Sequence, residues 1–87
     1  MLFNHKRSEV EIISNILSLA QNGAKKTHIM YKTNMSYTLF VNYLDFLIDK
    51  HLIEKHNSNP SGEIFYKATE DGKKVLKNIN SVLDYMK

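Results

Sequence analysis

Eighty-seven residues at 10.1 kDa allow one small domain, and 43% hydrophobic with 24% charged residues describes an ordinary globular chain. No cysteine occurs, which excludes disulfides and thiolate metal sites and fits a reducing cytoplasm. Twelve Lys and Arg against nine Asp and Glu leave a net charge of +3, which admits nucleic acid as a partner without requiring it. A chain this short buries only about 60 to 65% of the surface its unfolded form exposes, so its core is thin. With disulfides excluded, association with a second copy is the obvious remaining support.

Ser8 to Asn22 reads as a first helix. Ser8 with Glu11 three residues on forms a capping box, and Val10, Ile13, Ile16, Leu17 and Ala20 recur at helical spacing, with Ile12 and Leu19 widening the stripe. Gly23 is the expected stop, since it takes positive φ without steric cost. Ala24 to Lys26 is a linker or a brief strand. Thr27 is placed to cap a short second helix running to Tyr31 or Lys32, with Ile29 and Met30 inward. Thr33-Asn34 breaks it, because Asn tolerates left-handed geometry. Ser36 then caps a third helix to about Lys50. Its inward stripe is Phe40, Tyr43, Leu44, Leu47 and Ile48, and Thr38, Asn42, Asp45 and Asp49 line the opposite side. Two helices joined so closely predict a helix-turn-helix.

The period changes after Lys50. Leu52 to His56 and Glu63 to Ala68 are β-prone runs around the turn signal Asn57-Ser58-Asn59-Pro60-Ser61-Gly62, and predict a hairpin. Thr69 opens a final helix, with Glu70 and Asp71 in its positive first turn and Gly72 weakening that turn. The order predicts an α+β, mostly α fold: a winged helix-turn-helix over residues 1–69 with a C-terminal helix over 70–87. On that helix Val75, Ile79, Val82 and Met86, with Leu83 beside them, form a seam suited to homodimerisation.

The runs KTHIMYKTNMSY (Lys26 to Tyr37), YLDFLIDKHLI (Tyr43 to Ile53) and FYKATEDGKKVL (Phe65 to Leu76) resemble small archaeal winged-helix DNA-binding proteins. These are the ten-kilodalton chromatin-associated proteins and related predicted transcriptional regulators. The resemblance covers roughly Arg7 to Leu76. It implies DNA binding and dimerisation through the C-terminal helix. The sequence has Thr38, Leu39, Val41 and Asn42 where the family usually carries lysine or glutamine, and His51 where the family commonly ends the third helix with glycine.

Charge is unevenly distributed. Residues 1–35 hold five basic and two acidic side chains, whereas 36–50, the expected recognition helix, hold one and two. Phosphate contacts are therefore expected around the second helix, from Lys25, Lys26 and Lys32 with Thr27 and His28 assisting, or else these residues form a solvated basic loop. Ser36, Tyr37, Thr38 and Asn42 are the groove candidates. Asn42 has the bidentate geometry for adenine and Thr38 a methyl for thymine, whereas Ser36 as a simple cap and Tyr37 as a packing residue is the plainer reading. The wing has Lys55 and Lys67 only on its flanks, and Glu63 beside its tip opposes deep insertion. Leu39 and Val41 touch thymine methyls, pack under the hairpin, or belong with Phe46 to a protein-binding surface.

Catalysis has little foothold. His5, His28, His51 and His56 fall on separate segments without metal-ligand spacing, and no phosphate-cradling glycine loop or nucleophile elbow is present. The expectation is a non-enzymatic, cytoplasmic, nucleoid-associated protein with no cofactor, metal or membrane span. Its partners would be double-stranded DNA and a second copy of itself, with any small-molecule effector left open. The alternative is a winged-helix module that binds protein.

Overall fold

A computed structural model describes residues 9–58 and 62–86. Ser8, the expected first cap, and Asn59, Pro60 and Ser61 of the expected wing tip lie outside the described residues. The elements run α1 (Glu9–Leu19), α2 (Lys26–Thr33), α3 (Tyr37–Asp49), β1 (Ile53–Ser58), β2 (Glu63–Ala68) and α4 (Glu70–Tyr85). The strands form an antiparallel hairpin in which Ile53 faces Ala68 and Ser58 faces Glu63. Ala24 adds a bridge to Tyr66, so the segment after α1 is a minimal third strand on the outer edge of β2. This arrangement is the predicted winged helix-turn-helix.

One core serves all six elements. Ile12, Ile16 and Leu17 of α1 meet Ile29 of α2, Phe40, Leu44 and Leu47 of α3, Ile53 and Tyr66 of the hairpin, and Leu76 of α4. Each fully buried aliphatic or aromatic side chain contributes roughly 1.5 to 3 kcal/mol of transfer free energy, which is what orients three short helices that would be marginal alone. Tyr43 and Ile48, expected inward, are only partly buried.

The junctions are explained by local chemistry. Ser36 caps α3, its Oγ accepting a hydrogen bond from the Leu39 N–H at 3.3 Å. Thr69 caps α4 by accepting from the Gly72 N–H at 2.9 Å, while its own hydroxyl donates to the His51 carbonyl at 2.7 Å. Asn34 takes the left-handed conformation between α2 and α3, at φ 54°.

Three expectations need correction. Thr27 does not cap α2: the chain leaves its bridge at Ala24 and enters the helix at once, so extended Lys25 is the N-cap residue, without a side-chain cap hydrogen bond. Thr33 belongs to α2 rather than to the break, buried and donating its hydroxyl to the Met30 carbonyl at 3.0 Å, and Asn34 alone makes the turn. Gly72, read as a weakness, is a packing requirement. A Cβ there would overlap the Leu52 carbonyl oxygen and press on the Leu17 side chain.

Candidate nucleic-acid interface

The start of α2 carries Lys25 and Lys26, and no acidic residue lies in its first turn. The start of α3 carries Tyr37 and Thr38, both exposed. These two helix starts are joined by Lys26, whose Nζ lies 5.3 Å from the centroid of the Tyr37 ring and donates to the Tyr37 hydroxyl at 3.4 Å. Tyr37 therefore does not pack into the core; it is 61% exposed and braces a lysine. Thr27, His28 and Lys32 are exposed on α2, and Asn42 is exposed one turn along α3 from Thr38. The structure thus brings Lys26, Tyr37, Thr38 and Asn42 onto one surface at the positive end of two helix dipoles.

The acidic residues of α3 are kept away from that end. Asp45 and Asp49 are exposed in its second half, and Lys50, at its C-cap, lies over the Phe46 ring at 5.9 Å. Counted whole, the helix is slightly acidic; along its length, the half nearest Lys26 carries no charged side chain. That separation is lost in a sum over the segment and leaves the N-terminal half of α3 without an acidic side chain.

The remaining candidates divide. Ser36 is occupied as the α3 cap. Lys25 is exposed but pairs with Glu63 at 3.2 Å, tying the start of α2 to the wing. Lys55 and Lys67 are both exposed, yet the register places Lys55 opposite Tyr66 and Lys67 opposite Glu54. Side chains alternate along a strand, so these two lysines leave the hairpin on opposite faces and do not act together. Glu63, beside the wing tip, is also the partner of Lys25, a pairing that depends on where the hairpin packs.

Beside the polar surface runs an apolar groove of about 340 Å³ between α1 and α3, lined by Glu9, Ile13, Leu39, Asn42, Tyr43 and Phe46. Leu39 and Phe46 are exposed there, whereas Val41 turns inward and packs against the core. The Tyr43 hydroxyl donates to Glu9 Oε1 at 3.4 Å. Its phenol is held above the ordinary value, first by partial burial and then by the negative charge of Glu9. On α4, Val75 is half-buried against the core, Ile79 and Leu83 are partly covered, and Val82 and Met86 are exposed. The described residues contain no cluster of His, Asp or Glu able to hold a metal ion, and no described helix is long and apolar enough to cross a membrane.

Known proteins share this architecture. The chain is 34% identical over 83 residues to an uncharacterized protein of Methanocaldococcus jannaschii, covering 94% of this chain and 79% of that protein. A second protein from the same archaeon is 35% identical over 71 residues, 76% of this chain, which spans only 34% of that longer relative. Among solved structures, Sso10a-2, a DNA-binding protein from Sulfolobus solfataricus, superposes with a TM-score of 0.81 at 24% identity, over 92% of this chain and 82% of its own. A MepR variant from S. aureus bound to an oligodeoxyribonucleotide gives a TM-score of 0.71 at 19% identity, over 88% of this chain and 56% of its own. The family model described as winged helix-turn-helix matches residues 6–87, nearly the whole sequence and every element above. With its three-helix core, hairpin wing and archaeal relatives, the chain belongs to the winged helix-turn-helix family.

Proposed function

We propose that this protein binds double-stranded DNA as a homodimer, acting as a transcriptional regulator or chromatin-associated protein. The observation that carries the reading is the junction of Lys26 and Tyr37, which makes one surface of the cationic start of α2 and the polar start of α3. Lys26 and Lys32 contact phosphates, the N-terminus of α2 adds backbone amides, and Thr38 and Asn42 reach base edges in the major groove. Lys25 joins them when its exposed pair with Glu63 opens, an interaction worth little in solvent. The DNA-binding description of Sso10a-2 and the oligonucleotide held by the MepR variant support the same use of this fold.

The dimer is the second part of the proposal. Val82 is 56% and Met86 41% exposed on one side of α4, a continuous apolar seam with Ile79 that a second copy would cover. Two copies then present two α3 helices to successive major grooves if the dimer sets them about 34 Å apart.

Fluorescence anisotropy of a labelled duplex in low salt tests the DNA reading. The wild-type protein should bind, and Lys26→Ala with Lys32→Ala should weaken binding about equally on unrelated sequences. A folded protein that leaves the duplex unbound would overturn it. That outcome favours a protein-binding module instead, because the groove of Ile13, Leu39 and Phe46 with Glu9 at its rim suits an apolar side chain followed by a basic one.

A further inference from the structure

We propose that the DNA this protein selects is rich in A·T pairs, read in the major groove by Thr38, Leu39 and Asn42, with Leu39 as a specificity-determining residue that contacts the thymine methyl. The inference deepens the DNA reading above and rests on it.

Thr38, Leu39 and Asn42 are all exposed on the first two turns of α3. At 100° per residue they span an arc of about 100°, with Asn42 between the other two and about 5 to 6 Å further along the axis. The Leu39 N–H donates to Ser36 Oγ at 3.3 Å, so the turn that carries this leucine is held by the helix cap. Its side chain is 44% exposed, and the remainder lies along the groove shared with Ile13 and Phe46. Asp45 and Asp49 stand exposed on the same side of the helix, about one and two turns beyond Asn42. Phosphates repel both carboxylates, so α3 enters a major groove by its N-terminal half, and the set that reaches base edges ends at Asn42.

That set has one chemical pattern. Arginine and lysine are the usual bidentate partners of guanine, and α3 contains neither. Lys26, at the start of α2, is held on the Tyr37 ring. The Asn42 amide can donate to adenine N7 while accepting from the adenine N6 amino group. Guanine presents acceptors at both N7 and O6, which leaves the Asn42 carbonyl oxygen facing an acceptor. The Thr38 methyl and the Leu39 side chain match the thymine C5-methyl. Set against Leu39, a cytosine N4 amino group loses its water and gains no acceptor. The same three side chains therefore favour A·T pairs and oppose G·C pairs.

Fluorescence anisotropy at one low salt concentration tests this with four duplexes of equal length, built from A·T, A·U, G·C or inosine·cytosine pairs. Inosine·cytosine offers the major-groove groups of G·C and the minor-groove groups of A·T. The wild type should bind the A·T duplex at least about fivefold more tightly than either the G·C or the inosine·cytosine duplex. Uracil, which lacks only the methyl, should weaken binding about fourfold for each methyl contacted. Leu39→Ala, at an exposed position and with an unchanged circular dichroism spectrum, should reduce the difference between thymine and uracil. Asn42→Ala should reduce the preference for A·T over inosine·cytosine. Equal binding of all four duplexes, or inosine·cytosine bound as tightly as A·T, overturns the major-groove reading while DNA binding stands. A thymine-to-uracil ratio unchanged in Leu39→Ala removes Leu39 from the contact and overturns its role. No binding to any duplex overturns the DNA reading and this inference with it.

Discussion

His51 sits where α3 hands over to the hairpin, at φ 61°, a left-handed conformation that costs a residue with a Cβ about 1 to 2 kcal/mol. The sequence comparison with small archaeal winged-helix proteins marked this position as one that commonly holds glycine, and the backbone supplies the reason. Its main chain, not its ring, makes the junction: the N–H donates to the Ile48 carbonyl and the carbonyl accepts from Thr69. His51→Gly should therefore stabilise the protein by about 1 kcal/mol, a rise of roughly 4 to 8 °C in melting temperature for a domain of this size. Tyr43 gives a second residue-level expectation. Its phenol is raised above 10.0 by partial burial and then by Glu9, so the folded state holds that proton more tightly than the unfolded state. The associated stability is intact below the unfolded value and is lost as pH climbs through the higher folded one. Thermal melts from pH 8 to 11 should show Tyr43→Phe losing less stability above pH 10 than the wild type.

Among the elements, α2 shows the clearest conflict between local stability and use. A helix start favours an oxygen-bearing cap and acidic neighbours, yet this one has an uncapped Lys25 followed by Lys26. Lys25→Ser should supply the missing acceptor and raise stability by up to about 1 kcal/mol, after loss of the exposed pair with Glu63, while weakening duplex binding. Paired chemical denaturation and duplex titration of this variant measure both effects. The same helix shows where sequence reading stops. Periodicity and turn chemistry located every element, and Ser36, Asn34 and Thr69 behave as their residue types predict. Thr27 misled because cap preference is local, whereas the start of α2 is set by the bridge from Ala24 to Tyr66, over forty residues away in the chain. Gly72 misled for the same reason: its requirement comes from Leu52, in the connection between α3 and β1.

For the molecule as a whole, net charge alone was a poor guide to the interface. Five basic residues precede Met35, but two of them, Lys6 and Arg7, lie outside the described residues and Lys25 is partly neutralised by Glu63. What defines the candidate surface is placement: Lys26 braced on Tyr37, Lys32 further along α2, and an α3 whose acidic residues sit at its far end. The candidate residues were legible as types; the pairing of Lys26 with Tyr37 and the opposite faces of Lys55 and Lys67 required the fold. A surface with so few free cations predicts backbone-led binding of modest affinity, with a salt dependence set by those few phosphate contacts. The most direct test is duplex affinity across a salt series for the wild type and for Lys26→Ala with Lys32→Ala. Log affinity should fall linearly with log salt, and the double variant should flatten that slope by about two per protomer. An identical slope in the two proteins, or no duplex binding at the lowest salt, would contradict the account.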